Sequence, residues 1–229
     1  FAPLPPSPPA MIIPAAVPLE TALQRELEAV VADYGIPGAS LAMRLRDGRM
    51  IRLAAGWADR EARRPMTPDH RLFTGSIGKT LVAALVLRQV QVGRLDLDAP
   101  LLRYLDQAPW VARLPHAPKI TLRHLLNHTA ALPEYVELPG IWEEATRHPD
   151  RRWTPAERLA GILDAPPKGE PGTTFAYADT HYILLGMVLE WVAGQSLEAQ
   201  EQALLDELNL RETHLADRRR LPKLASGYS

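Results

Sequence analysis

The chain has 229 residues, 26 basic and 27 acidic, and therefore a formal net charge of −1. This balance excludes a nucleic-acid-binding domain driven by phosphate neutralisation and a polybasic membrane-binding protein. Because there is no cysteine, disulfides, Cys-ligated zinc and a thiol nucleophile are excluded as well. No segment approaches the roughly 20 uncharged apolar residues that a membrane-spanning helix needs.

Residues 1–18 form a Pro-rich leader or linker. Seven of these residues are proline, which removes backbone donors and holds a chain extended. Segments of this kind often follow a removed signal peptide. We therefore expect a periplasmic or secreted protein, and a cytoplasmic location stays open.

The next segment, 19–75, is predicted to be the N-terminal part of an α/β sheet domain. Apolar residues recur at helical spacing between Leu19 and Tyr34, which predicts an amphipathic helix. Alternating residues on both sides of Asp47-Gly48 then predict a β-hairpin with one buried face. Since a lone hairpin is only marginally stable, we expect the strands that complete the sheet to lie beyond Ser229.

Residues 76–229 are predicted to be a helical domain. Glycines or a capping box delimit its stretches of apolar residues. The predicted helices span 80–92, 154–163, 182–193 and 197–208.

The segment Phe73-Thr-Gly-Ser-Ile-Gly-Lys-Thr80, directly before the first of these helices, admits two interpretations. The first is a phosphate-binding loop, G-x-x-x-x-G-K-[ST]. Phe73 stands where its opening glycine belongs, and a bulky side chain there blocks the close approach of a phosphate. The second is a Ser-x-x-Lys pair, Ser76 and Lys79. Alone, this motif is more simply read as a capping serine beside a surface lysine.

The Ser-x-x-Lys spacing suits nucleophilic catalysis. Residues three apart share one helical face, so the Lys79 amine can reach the Ser76 hydroxyl. The positive end of the helix dipole and partial burial both disfavour a lysine cation. We therefore expect a lowered Lys79 pKa and a neutral amine that takes the serine proton, as acyl transfer requires.

A second motif about a hundred residues later supports this interpretation. Tyr177 and Asp179 form a Tyr-x-Asp pair, which we expect on a loop before the helix 182–193. At this distance from Ser-x-x-Lys, the pair resembles the second motif of the serine β-lactamase and penicillin-binding protein superfamily. The closest branch holds class C β-lactamases, D-alanyl-D-alanine carboxypeptidases and β-lactamase-like esterases. Four further segments are similar to that superfamily: Gly93–Asp98, Leu125–Thr129, Pro171–Thr173 and Leu184–Gly186.

The resemblance implies an α/β (α+β) fold of the β-lactamase/transpeptidase type. An antiparallel sheet domain, incomplete in this chain, would accompany a large all-helical domain. It also implies a serine hydrolase that forms an acyl-enzyme on a β-lactam, a D-Ala-D-Ala peptide or an ester, without a cofactor or metal. Ser76 is then the nucleophile and Lys79 activates it. Tyr177 passes the proton to the leaving group, and Asp179 contacts the substrate, a small molecule or a peptidoglycan peptide.

Three departures from the superfamily pattern accompany the match. Asp179 stands where the family has Asn, and a carboxylate only accepts hydrogen bonds and can pair with Lys79, weakening it as a base. The family's His-Thr-Ser-Gly-Leu reads His128-Thr-Ala-Ala-Leu132, which we expect to stiffen or reshape a loop. The third motif, Lys/His-Thr/Ser-Gly, does not follow Tyr177 and is expected beyond Ser229. Asp179 and the missing third motif favour a second hypothesis, a catalytically impaired penicillin-binding-protein-like chain that binds a ligand or partner.

The histidines give a weaker signal. His124 and His128 are four residues apart and could share a metal on a helix. No Glu follows His124 as in the zinc hydrolases, so we expect no metal site. His181 is expected to pack against its neighbours rather than to line the pocket.

Overall fold

The structure of the protein is a computed structural model, and it describes residues 18–215 and 221–228. Residues 1–17 of the predicted Pro-rich leader lie outside the described residues. Contacts divide the described chain into two units, residues 18–73 with 221–228 and residues 74–215. Within these ranges no helix is both long enough and apolar enough to cross a membrane.

The first unit consists of one helix and an antiparallel sheet. The strands follow one another in the order β1-β2-β3. The elements are α1 (Leu19–Asp33), β1 (Gly38–Arg44), β2 (Met50–Asp59) and β3 (Arg64–Pro65). The predicted helix and hairpin are confirmed, whereas the sequence analysis missed β3 because two residues are too few to show an alternating pattern.

The hairpin has the register that its alternating pattern predicts. Leu41 lies opposite Leu53, and Met43 lies opposite Ile51. Ile51 and Leu53 are buried, while Arg52 between them is exposed, because successive side chains of a strand point to opposite faces. Helix α1 packs against β2.

Residues 221–228 belong to the sheet unit. The Ser226 amide donates to the Ala58 carbonyl at 2.8 Å, and Ala225 is buried with Ala58 and Met66. The sequence analysis assigned the whole of 76–229 to the helical domain, and the structure differs for this segment. The reason is that the segment is held by single backbone hydrogen bonds, which leave no periodic pattern in the sequence.

The second unit is helical. A 3₁₀ helix, Gly75–Gly78, leads into α2 (Lys79–Gln91). The other α-helices are α3 (Leu122–Leu126), α4 (Ile141–Arg147), α5 (Pro155–Leu159), α6 (Asp179–Ala193) and α7 (Leu197–Glu207). Further 3₁₀ helices span Leu101–Arg103, Pro109–Arg113, Ala117–Lys119, Tyr135–Glu137 and Ala160–Ile162.

The four predicted helices are present, with two changed boundaries. The capping box at Thr154 forms as predicted, but α5 ends at Leu159 and continues as a 3₁₀ turn. Helix α6 begins at Asp179, three residues before the predicted start. The polar residues Asp179 and Thr180 hid this first turn from a search for apolar periodicity.

Helix α6 is the central element of the helical unit. It packs against α2, α3, α5 and α7, and Leu184, Leu185 and Leu189 are fully buried. Burying each leucine contributes about 2 kcal/mol. The first turn of α6 is therefore held in place against α2 by a large apolar contact.

We expect Gly56→Ala to destabilise the protein more than Gly48→Ala. Both glycines have a positive φ, +75° for Gly56 and +88° for Gly48, which costs a residue with a Cβ about 1–2 kcal/mol. A Cβ on Gly56 would also lie 2.4 Å from the Pro37 carbonyl oxygen, whereas a Cβ on Gly48 meets nothing within 4 Å. Denaturant unfolding of the two variants measures the difference, and equal losses would contradict the close approach at Gly56.

Candidate active site

Ser76 and Lys79 lie together at the start of α2. Ser76 is in the 3₁₀ helix Gly75–Gly78, and Lys79 is the first residue of α2. Positions three apart in such a turn lie on the same side of the helix. The Lys79 Nζ donates to Ser76 Oγ at 3.0 Å. The structure thus places these two predicted site residues in direct contact.

Tyr177 reaches the same serine from a separate loop. Its phenol oxygen is 2.6 Å from Ser76 Oγ. Backbone hydrogen bonds hold this loop against the segment 128–131: the Ala176 amide donates to the His128 carbonyl, and the Gly172 amide donates to the Thr129 carbonyl, both at 2.8 Å.

Asp179 is the fourth predicted residue at this site. Its Oδ1 accepts from Lys79 Nζ at 2.5 Å and lies 3.4 Å from the Tyr177 hydroxyl. Asp179 was expected on a loop but is the first residue of α6, where the helix dipole stabilises a carboxylate. The structure therefore contains the ion pair that the Asn-to-Asp departure makes possible.

The ion pair sets the charge of the lysine. Burial lowers the pKa of Lys79, but hydrogen bonds and charge interactions with Asp179 and Tyr177 outweigh it, and the pKa lies above its usual value. The expectation of a neutral amine is therefore wrong for the unbound site. The sequence analysis named two opposing effects on Lys79, burial with the helix dipole and a pairing with Asp179, and in the structure the interactions with Asp179 and Tyr177 outweigh burial.

Glu134 is a residue of the site that the sequence analysis missed. Its side chain accepts hydrogen bonds from the Asp179 amide and, at 3.2 Å, from the Val136 amide. Glu134 is only 8% exposed, and burial raises the pKa of its carboxyl despite those two hydrogen bonds. Its one sequence signal is an acidic residue within the apolar stretch 130–136. By accepting the Asp179 amide, Glu134 caps the start of α6.

Two buried histidines, His128 and His181, lie in contact with each other, and His128 also packs against the Tyr177 ring. The His128 ring lies 4.4 Å from the Tyr177 ring, centroid to centroid. His128 Nδ1 accepts from the Ala178 amide at 3.3 Å and lies 3.0 Å from His181 Nδ1. Since His128 Nδ1 accepts, we assign the proton between the rings to His181 Nδ1. As expected, His181 is packed in the interior.

Burial keeps this histidine pair uncharged. It lowers the pKa of His181 to about 3, with a further contribution from His128. Burial, followed by the positive charge of Lys79, also lowers the pKa of His128. The two imidazoles therefore add hydrogen bonds and contact area to the site without adding a charge at neutral pH.

In the segment His128–Leu132, Ala131 stands where the family has a glycine, and its backbone keeps a conformation that favours glycine. Ala131 has a φ of +57°, which is strained for a residue with a Cβ. The Lys168 amide donates to the Ala131 carbonyl at 2.9 Å. The surrounding backbone contacts thus hold an alanine where the family pattern has a glycine.

The other interpretations of these residues find little support in the geometry. Among the described residues no group of three His, Cys, Asp or Glu side chains could hold a metal ion. His124 instead completes a capping box with Thr121 at the start of α3. Lys79, which a phosphate-binding loop would direct at a phosphate, is bonded to Ser76 and Asp179.

The sequence of this chain matches a known family over most of its length. A model of the Beta-lactamase family matches residues 23–228. This chain belongs to the Beta-lactamase family. The predicted superfamily and its fold class are thereby confirmed.

Two relatives are each identical to this chain at about a third of the aligned positions. Esterase EstB of Burkholderia gladioli is 34% identical over 215 residues, which are 89% of this chain and 54% of the esterase. Penicillin-binding protein 4 of Amycolatopsis lactamdurans is 31% identical over 81% of this chain and 45% of its own length. The chain thus spans about half the length of these relatives.

A solved structure has the same fold. D-amino acid amidase from Ochrobactrum anthropi SV3, complexed with L-phenylalanine amide, superposes with a TM-score of 0.76 at 29% identity. The superposition covers 91% of this chain and 57% of the amidase. This chain is thus similar to an esterase, a penicillin-binding protein and a D-amino acid amidase.

We predict that Asp179→Asn shifts the rising limb of the pH profile of Ser76 modification to lower pH. The variant loses the carboxylate that raises the Lys79 pKa and keeps the burial that lowers it. A neutral amine is populated only above the lysine pKa, so a lower pKa extends the reaction toward neutral pH. Rates of modification by a small fluorophosphonate, followed by intact mass at neutral and alkaline pH, measure this shift.

The control for this experiment is Asp98→Asn. Asp98 pairs with Arg123 at 2.7 Å on the exposed surface, so the variant removes a carboxylate without touching the site. Tyr177, Tyr182 and His128 also face Lys79, and all three are retained. A profile that is the same for Asp179→Asn and for the unaltered protein would refute the role of the ion pair.

Proposed function

We propose that the protein is a serine hydrolase that forms an acyl-enzyme on Ser76. One observation carries this proposal: Ser76 Oγ lies within hydrogen-bond distance of both Lys79 Nζ, at 3.0 Å, and the Tyr177 hydroxyl, at 2.6 Å. A nucleophile with two proton-transferring groups in contact is the arrangement that covalent acyl transfer needs. Ser76 is also exposed, so a carbonyl carbon can approach it.

In the proposed reaction, Ser76 Oγ bonds to the acyl carbon while its proton passes to the Lys79 amine. The bond from the acyl carbon to the leaving group then breaks, and Tyr177 supplies a proton to that group. Lys79 restores the phenol proton, and water hydrolyses the acyl-enzyme by the reverse sequence of proton transfers. Because Asp179 holds Lys79 charged in the unbound site, the ion pair must weaken when substrate binds.

The substrate that we propose is an ester, an amide or a lactam. EstB is named an esterase, and the similar solved structure is named a D-amino acid amidase. Two exposed apolar residues are sequence neighbours of the site residues. Ile77, 68% exposed, follows Ser76, and Phe175, 54% exposed, stands two residues before Tyr177. Exposed apolar groups at this position favour a substrate with an apolar side chain.

Two finer aspects of the proposal concern the biological setting. The name of penicillin-binding protein 4 supports a peptidoglycan peptide, cleaved as by a D-alanyl-D-alanine carboxypeptidase, as one candidate substrate. The Pro-rich segment 1–18 supports a periplasmic or secreted location. Fractionation of the native host with an antibody against the protein tests the location.

The ion pair favours one alternative function. If Asp179 holds Lys79 charged even when a ligand is bound, Ser76 is not activated, and the protein is a catalytically impaired ligand or partner binder. Such a protein would bind penicillin reversibly without forming an adduct.

Labelling with a penicillin is expected to add one acyl group to Ser76 of the full-length protein. Ser76→Ala and Lys79→Ala should abolish the adduct, since they remove the nucleophile and its activating group. Tyr177→Phe should slow its formation by about 10²–10⁴-fold, the usual contribution of a general acid or base. Intact-mass measurement over time reports each rate.

Tyr182→Phe is the matched control. Its hydroxyl donates to the Leu126 carbonyl at 3.1 Å, so the variant removes a nearby phenol that does not contact Ser76. Its labelling rate should stay within a few-fold of the unaltered protein. Absence of any adduct on Ser76, with either a penicillin or a fluorophosphonate, would refute the hydrolase and favour the binder.

A further inference from the structure

Asp179 has one oxygen in use and one unused. Its Oδ1 holds Lys79, whereas Oδ2 accepts no hydrogen bond from any residue that the structure describes. The side chain is 39% exposed, so a bound molecule can reach the carboxylate. A carboxylate can only accept hydrogen bonds, and any group that binds Oδ2 must therefore be a donor.

The Asp179 side chain lies close to the nucleophile. Asp179 is two hydrogen bonds from Ser76 Oγ, through Lys79 on one path and through Tyr177 on the other. An acyl carbon bonded to Oγ carries its α-carbon two bonds away from the serine oxygen, and the substituent on that α-carbon is three bonds away. This substituent is the part of the substrate that can reach Asp179.

The charges at the site favour a cationic substituent. Two carboxyl groups, Asp179 and Glu134, accompany one ammonium group, Lys79, and the neighbouring His128 and His181 are neutral. Glu134 directly contacts the Asp179 backbone. The Asp179 carboxylate would thus attract a cation at Oδ2. The Glu134 carboxyl group would offset part of the repulsion between that cation and Lys79.

We infer that Asp179 selects acyl substrates with a free amine next to the scissile carbonyl. The protonated amine brings a positive charge and three N–H donors to Oδ2, whereas the nitrogen of an N-acylated substrate offers one neutral N–H. This inference rests on the proposed function and deepens it, because it names the substrate class: esters or amides of unblocked amino acids.

The same contact provides the step that the unbound site lacks. An ammonium group at Asp179 shares the carboxylate with Lys79 and adds a like charge beside it. Both effects lower the pKa of the lysine, whose released proton passes to solvent. The substrate amine thus frees Lys79 to take the Ser76 proton. Reagents without an amine leave more of the ion pair in place and therefore acylate Ser76 more slowly.

Three matched esters test the inference in the full-length protein. They are phenylalanine methyl ester, its N-acetyl derivative and methyl 3-phenylpropanoate, which has no nitrogen, with the first two assayed as each enantiomer. For the preferred enantiomer, we expect kcat/KM to be about 10–100-fold higher for the free amine than for the nitrogen-free ester, as for a hydrogen bond to a charged group. The N-acetyl ester, whose nitrogen is a neutral donor, should also have a lower kcat/KM than the free amine.

The variant Asp179→Asn should abolish this preference. An Asn side chain donates as well as accepts, so the N-acetyl ester should gain relative to the free amine, and their ratio should fall to about one or invert. Asp98→Asn, which removes an exposed carboxylate, should keep the ratio of the unaltered protein.

Two outcomes would overturn the inference while leaving the hydrolase in place. One is an unaltered protein that cleaves methyl 3-phenylpropanoate and prefers the N-acetyl ester or shows no preference, a result that needs no variant. The other is a preference for the free amine that persists in Asp179→Asn. If the protein cleaves none of the three esters and no adduct forms on Ser76, the proposed function is refuted, and this inference with it.

Discussion

The site depends on the packing of α2 against α6. Ser76 and Lys79 stand at the beginning of one helix, and Asp179 is the first residue of the other. The fully buried leucines of α6 hold the two helix starts at a separation that a single hydrogen bond spans. The contact between Lys79 and Asp179 follows from this apolar interface, whereas Tyr177 reaches Ser76 from a loop that backbone hydrogen bonds hold against residues 128–131.

The ion pair between Lys79 and Asp179 gives this member of the family its particular charge distribution. Burial lowers the pKa of Lys79, and a neutral amide at this position would leave Tyr177 as the group that opposes this shift. With the carboxylate present, Asp179 and Tyr177 together reverse its direction. In the proposed reaction, this side-chain difference means that Lys79 must lose a proton before it can accept the one from Ser76.

Around this pair, a second layer of contacts holds Tyr177 and Asp179. Glu134 caps the start of α6, and the His128 ring packs on the phenol while its backbone holds the Tyr177 loop. These side chains are buried and, in the case of the histidines, uncharged. Their common effect is to fix the positions of the reactive groups without adding charges that would compete with the ion pair, in keeping with the need for preorganisation at reactive sites.

The sequence by itself determined the family, the hairpin and the main helices, and it identified Ser76, Lys79, Tyr177 and Asp179. These features depend on local periodicity, turn residues and short motifs, which are encoded by neighbouring residues. Only the tertiary structure decided the charge of Lys79, the capping role of Glu134 and the pairing of His128 with His181. Each of these depends on which distant side chains meet in the interior and on how much water burial removes, and neither quantity is contained in the spacing of residues along the chain.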